Sequence, residues 1–122
     1  MKCTLRPGPV IVVGLKNHHV AYATDGSLPN PLESVYGCIT GCAAVFAKKA
    51  CRELAISEDG IGIDLRVIAD PKNLGAIGKV AIHFTFPENI DQEARQAILT
   101  SVEACPVKAL IEQGGSIDSV ID

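Results

Sequence analysis

Apolar residues recur with period two in "IGIDLRVIA", residues 61–69: Ile61, Ile63, Leu65 and Val67 fall on one side, Gly62, Asp64 and Arg66 on the other. "KVAIHFTF", residues 79–86, repeats the pattern with Val80, Ile82, Phe84 and Phe86. Alternation over such lengths predicts half-buried strands. "DPKNLGAIG" between them predicts a loop or hairpin connection. Near the N-terminus, Lys2–Arg6, Val10–Lys16 and His19–Thr24 predict three short strands, with "RPGP" and "KN" as turns. "SIDSVID" at the C-terminus, after "QGG", predicts a last short strand.

The period changes after the loop "DGSLPNP". From Pro31 to about Leu54 the chain is apolar almost all round, which predicts a long, centrally buried helix. Pro31 suits the first helical position and Asn30 is its candidate cap. Gly37, Gly41 and Ala44 fall at i, i+4 and i+7 and give this helix a face of minimal side chains. A helix-interior Gly costs about 1 kcal/mol against Ala. The simplest compensation is a second helix packed very close, from the same subunit or another. A second helix begins near "PENIDQEA", where Asn89 and Gln92 have capping-box spacing. Ala94, Ile98, Val102 and Cys105 share its apolar face. Pro106 then forces a kink or a stop, because it lacks an N–H and clashes with the preceding turn.

The order is three strands, helix, two strands, helix, broken helix, strand. Runs of strands rather than strict alternation with helices mean an α+β fold with a largely antiparallel sheet. The chain has 122 residues and no repeat or linker, so one domain over residues 1–122 is expected. Nearly half the residues are apolar, and Trp is absent, so the core is built from Val, Ile, Leu and Ala. Net charge is −3 with no basic block, which argues against nucleic-acid binding. The apolar run Val10–Leu15 is too short for a signal peptide, and Ser34–Phe46 falls short of the roughly 20 residues a membrane span needs. A soluble, cytoplasmic protein is expected, with no membrane partner.

Five cysteines, Cys3, Cys38, Cys42, Cys51 and Cys105, form no disulfide framework in such a compartment. They are buried small hydrophobes, metal ligands or reactive thiols. If the helix restarts at Pro106, Cys105 caps "PVKALIEQ", and a helix N-terminus favours its thiolate. Metal is disfavoured. His18 and His19 are adjacent and point to opposite faces of a strand. Cys38 and Cys42 lack the second couple that structural zinc uses. No phosphate-binding Gly loop is present either, so no cofactor is expected.

"PLESVYGCITGC", followed some sixty residues later by "ACPVKAL", resembles the OsmC/Ohr family of small thiol proteins. Pro31, Glu33, Gly41 and Cys42 match the first motif, and Cys105, Pro106 and Val107 match the second. The likeness runs from about residue 28 to residue 121. It implies an OsmC-like fold in an intertwined homodimer, and a peroxidase activity. Cys42 attacks an organic hydroperoxide, Cys105 resolves the sulfenic acid as a disulfide, and a dithiol such as a dihydrolipoyl group reduces it. In the hydroperoxide-resistance branch an Arg activates the first cysteine and pairs with a Glu directly after the motif Pro. Here Leu32 holds that position and Glu33 follows it, a spacing similar to the broader OsmC-like branch. Arg6 is the candidate cation of the N-terminal strands. Two other readings use the same thiols: a non-enzymatic ligand-binding or redox-sensing dimer, and persulfide handling. A cation beside Cys42 separates peroxidase from the binding reading.

Overall fold

The computed structural model of the chain describes residues 1–73 and 77–122. Two compact units divide it, Met1–Gly37 and Cys38–Asp122.

In the first unit, β1 (Lys2–Cys3), β2 (Val10–Gly14) and β3 (His19–Ala23) form an antiparallel sheet in the order β1-β2-β3. Val12 pairs with Ala21 and Gly14 with His19. The strands are shorter than the alternation predicts. β1 ends before "RPGP", where Pro7 removes a ladder donor and Gly8 turns the chain at φ 100°. β2 ends at Gly14 because Leu15 N–H already closes the turn on the His18 carbonyl, 2.7 Å away. Ala23 is the one buried apolar residue here, while Val10 and Val12 stay exposed. The sheet does not supply its own core.

Helix α1 (Pro31–Glu53) starts in this unit, and from Cys38 onward it belongs to the second. Its start is a reciprocal capping box. The Glu33 N–H donates to Asn30 Oδ1 at 2.9 Å, and the Asn30 N–H donates to Glu33 Oε2 at 3.0 Å. The helix ends in a Schellman motif: Ala55 N–H reaches the Arg52 carbonyl and Ile56 N–H the Cys51 carbonyl. Ala55 holds the left-handed position, φ 55°, that glycine usually fills.

In the second unit, β4 (Gly62–Ala69) and β5 (Ile77–Thr85) pair antiparallel. Ile63 faces Phe84, Leu65 faces Ile82 and Val67 faces Val80, so the two alternating faces coincide. The expected connection "DPKNLGAIG" lies partly outside the described residues, and its end, from Ile77, is already strand. Gly62 admits the partner strand closely, since a Cβ there would collide with Thr85 Oγ1.

Helix α2 (Gln92–Val102) is capped by Asp91, whose Oδ1 accepts the Ala94 N–H at 2.8 Å. This corrects the Asn89–Gln92 box. Asp91 sits one residue before the helix, in reach of the third helical N–H, whereas Asn89 lies in the preceding turn. Pro106 ends one helix and begins another, α3 (Pro106–Gln113). Residues 116–122 form no strand and are exposed. "SIDSVID" alternates, yet it pairs with no strand, and a strand exists only through its ladder.

The core joins Ala43, Ala47, Ala50 and Cys51 of α1 to Ile98 and Val102 of α2. Ile61, Ile63, Ile82, Phe84 and Phe86 close over it from the hairpin. The fold is therefore α+β, as expected, but with two small antiparallel sheets. Alternation marks strands without saying which strands pair. Among the described residues, nothing outside the helix itself stands within 4 Å of where a Cβ would be at Gly37 or Gly41. At these two positions α1 is open in the single chain, whereas Ala44, the third residue of the small face, is partly covered.

Candidate functional site

Cys42 stands three turns into α1, directly before fully buried Ala43. One turn later the Phe46 carbonyl accepts a hydrogen bond from Ser101 Oγ at 3.2 Å. That bond pins the end of α2 against α1 at the level of the site. Val102, 4% exposed, anchors the last turn of α2 in the core. The chain then tightens: Ala104 N–H bonds to the Ser101 carbonyl and Cys105 N–H to the Val102 carbonyl. Cys105 itself is extended, φ −62° and ψ 118°, because the proline after it disfavours helical ψ. It therefore becomes the N-cap of α3, and Pro106 takes the first position.

The result brings together two thiols that are 63 residues apart in sequence. Cys105 Sγ and Cys42 Sγ are 2.7 Å apart in a hydrogen bond in which either thiol is chemically able to donate. Both are free cysteines. Cys105 is 2% exposed, whereas Cys42 is half-buried and so more open to a reactant. The Lys108 N–H, in the first turn of α3, donates to Cys105 Sγ at 3.5 Å.

The electrostatics of the pair are unequal. Burial raises the Cys42 thiol above the ordinary range, its pairing with Cys105 adds to this and a charge on Cys38 would add further, while the Val107 N–H opposes them. Burial also opposes charge on Cys105. There it is outweighed by the hydrogen bond with Cys42, by the N–H groups of Lys108 and Val107, and by the Lys108 ammonium. The Cys105 thiol is consequently lowered. Lys108 Nζ pairs with Glu103 and lies 3.6 Å from Glu112, and the Glu103 contact is the main reason its own pKa rises.

The other two expected site residues, Arg6 and Glu33, are described within their own unit. Arg6 is exposed in the segment between β1 and β2. The Glu33 carboxylate is engaged with the Asn30 N–H. Both belong to the first unit, and the thiols to the second. Lys108 escaped the sequence reading, although "ACPVK" holds its signal: a cation three residues after the cap, in the first turn of the helix. Cys38 and Cys3 are exposed, and Cys51 is fully buried with its thiol pushed up by desolvation. Among the described residues no three His, Cys, Asp or Glu side chains group as a metal site. A small cavity is lined by Ala44, Ala47, Lys48, Glu58, Ile61 and Ile63, and neither thiol of the pair lines it. Among the described residues no helix is long and apolar enough to cross a membrane.

No protein-family model matches the chain, and no curated protein sequence does. Solved structures do match. One, from Psychrobacter arcticus 273-4, is described as an osmotic stress induced and detoxification response protein. It superposes with a TM-score of 0.65 at 19% identity, over 88% of this chain and 84% of that one. A second, described simply as structural genomics, superposes with a TM-score of 0.73 at 17% identity, over 92% and 88%. The chain shares its fold with both, in agreement with the OsmC-like fold that its two cysteine motifs imply.

Proposed function

We propose that the chain is a thiol-dependent peroxidase that reduces organic hydroperoxides in a stress or detoxification response. Cys42 is the attacking thiol, because it is the more accessible of the two. Cys105 resolves the resulting sulfenic acid as a disulfide. A small dithiol, of the dihydrolipoyl type, then returns both thiols by exchange. The observation that carries this reading is the 2.7 Å approach of an accessible thiol to a buried thiol held at a helix N-terminus. A sulfenic acid formed on Cys42 has its trap already in contact, which protects it from further oxidation. The fold shared with a detoxification response protein supports the same direction.

The working unit is a homodimer in this reading. Its support is the open Gly37–Gly41 face of α1, with exposed Val45 and Cys38 on the same helix. The first unit, with its one buried apolar residue, likewise leaves apolar surface for a second copy.

The test is consumption of cumene hydroperoxide with dihydrolipoamide by the wild type, Cys42→Ser and Cys105→Ser. Turnover lost in Cys42→Ser, with a Cys42–Cys105 disulfide in the oxidised wild type by mass spectrometry, is the expected result. No turnover with any hydroperoxide, and both thiols free after oxidant, would overturn it. One observation favours a redox-sensing dimer as the second reading. The cation of the site, Lys108, acts on Cys105, while burial pushes the Cys42 thiol up. A disulfide that forms with oxidant but is never turned over by a dithiol is the outcome that selects it.

A further inference from the structure

The two thiols pose a problem for the peroxidase reading on which this inference rests. The accessible thiol, Cys42, lies mid-helix, where the helix dipole offers it little. The thiol with the N–H groups and the cation, Cys105, is 2% exposed and cannot readily meet a bulky hydroperoxide. The groups that favour charge act mainly on one sulfur, and the access belongs to the other.

We propose that Cys105 is the general base of Cys42: its thiolate accepts the Cys42 proton across the sulfur–sulfur contact as Cys42 attacks. The geometry supports this through three features. The sulfurs are in direct hydrogen-bond contact at 2.7 Å, so no water need carry the proton. The Lys108 N–H donates to Cys105 Sγ and the Lys108 ammonium acts on the same sulfur, which favours the state in which Cys105 carries the charge and Cys42 the shared proton, while the Val107 N–H acts on both sulfurs. Burial keeps the Cys105 thiolate from reacting with solutes on its own account. The charged and titratable groups acting on the pair are Cys38 on α1 and Lys108 on α3, the latter with its partners Glu103 and Glu112.

The sequence of steps balances. The Cys42 sulfur attacks the terminal oxygen of R–O–OH while its proton passes to Cys105. The O–O bond breaks, its electron pair leaves with RO⁻, which takes a proton from solvent to give ROH, and Cys105–SH releases to solvent the proton it took from Cys42. Cys42 is now a sulfenic acid, and Cys105 is again a thiolate. It attacks the Cys42 sulfur and expels hydroxide, which takes a proton from solvent to become water. One residue thus acts as base and then as resolving nucleophile. An external dithiol supplies the two electrons that reopen the disulfide.

The experiment reads Cys42 alone, in the full chain, between pH 5 and 10. Iodoacetamide alkylation of the Cys42 peptide, followed by mass spectrometry, reports its nucleophilicity without any peroxide. Single-turnover loss of the free Cys42 thiol after cumene hydroperoxide, read by acid quench and mass spectrometry, counts sulfenic acid and disulfide together and reports the reaction itself. In wild type both rates should level off below the ordinary thiol pKa of about 8.5, set by Cys105 ionisation. In Cys105→Ser both should be slower by about tenfold or more at pH 7 and keep rising past that pH. Cys105→Asp restores an anionic helix cap without a resolving thiol, and should recover most of the lost rate. Ser and Asp are both good N-cap residues, so the fold is expected to persist in each.

Equal Cys42 alkylation and equal profiles in wild type and Cys105→Ser would overturn the proposal. Sulfenic acid that forms just as fast in Cys105→Ser would do so as well, while leaving the peroxidase reading intact. A Cys105-dependent alkylation profile with no sulfenic acid from any hydroperoxide would uphold the proton pairing and end the peroxidase reading.

Discussion

Glu33 separates two accounts of the same residue, and a small set of variants decides between them. The family resemblance makes it part of the catalytic machinery. The structure shows its carboxylate accepting the Asn30 N–H at 3.0 Å while Asn30 Oδ1 accepts the Glu33 N–H at 2.9 Å. Both residues are exposed, so the ordinary capping magnitudes apply. Removing an N-cap side chain costs about 1 kcal/mol, and a first-turn carboxylate contributes about 0.3–1 kcal/mol through the helix dipole. Asn30→Ala should therefore lower stability by about 1 kcal/mol, which is roughly 3–6 °C in Tm for a chain of this length. Glu33→Ala should cost slightly less, and the double variant less than the sum, because either change dissolves the same reciprocal pair. Glu33→Gln keeps the capping bond and loses the charge alone, so a drop of about 0.3 kcal/mol is expected. Thermal melting by circular dichroism gives the cycle, and hydroperoxide turnover is measured on the same samples. Additive losses would mean that the box is not formed. A tenfold fall in turnover in Glu33→Gln at unchanged Tm would mean that the carboxylate acts on the chemistry, and the capping account would be insufficient.

Three further outcomes are expected. Ala55→Gly should raise stability by about 0.5–1 kcal/mol in chemical denaturation, since Ala55 occupies a left-handed position at φ 55° that costs an L-residue about that much. A Cβ at Gly41 meets no described atom outside its own stretch of helix within 4 Å, and Gly41→Leu gains helix propensity. It should keep its helical signal and yet sediment as a monomer, whereas a Gly41→Leu variant that stays dimeric would place the interface elsewhere. Lys108→Met removes the cation that helps hold Cys105 charged, so the Cys105 pKa should rise and the wild-type plateau in Cys42 alkylation move to higher pH. An unmoved plateau would leave the Cys42 contact and the N–H groups of α3 as the causes.

Much of the second unit was legible because its periods are clean. Ile61, Ile63 and Leu65 could face only one way, and the paired face of Val80, Ile82 and Phe84 followed. Pro31 and Pro106 marked two helix starts through backbone chemistry alone, and Cys105 fell on the cap position that Pro106 dictates. Three features were not legible. The expected strand at 116–122 has the right alternation, but pairing is a tertiary fact that a seven-residue segment does not carry. The α2 cap went to Asp91 rather than Asn89, because adjacent capping residues compete within one turn and the register of the apolar face decides. The contact of Cys42 with Cys105 came from resemblance rather than from pattern, since 63 residues separate them. Lys108 was overlooked because its side chain reads as an ordinary surface charge, whereas its backbone N–H does more for Cys105 than its ammonium.

The separation of the two thiols along the chain also bears on how tightly the fold is held. Closing a 63-residue loop removes conformational freedom from the unfolded chain. By the chain-entropy relation such a cross-link is worth about 4 kcal/mol. Oxidation would then make the protein markedly harder to unfold. By the same thermodynamic cycle the folded chain would hold its disulfide against reduction more firmly than the unfolded chain does, by about 90 mV. Catalytic state and melting temperature would be two readings of one bond, and a population of this protein would stiffen as oxidant rises and soften as dithiol returns.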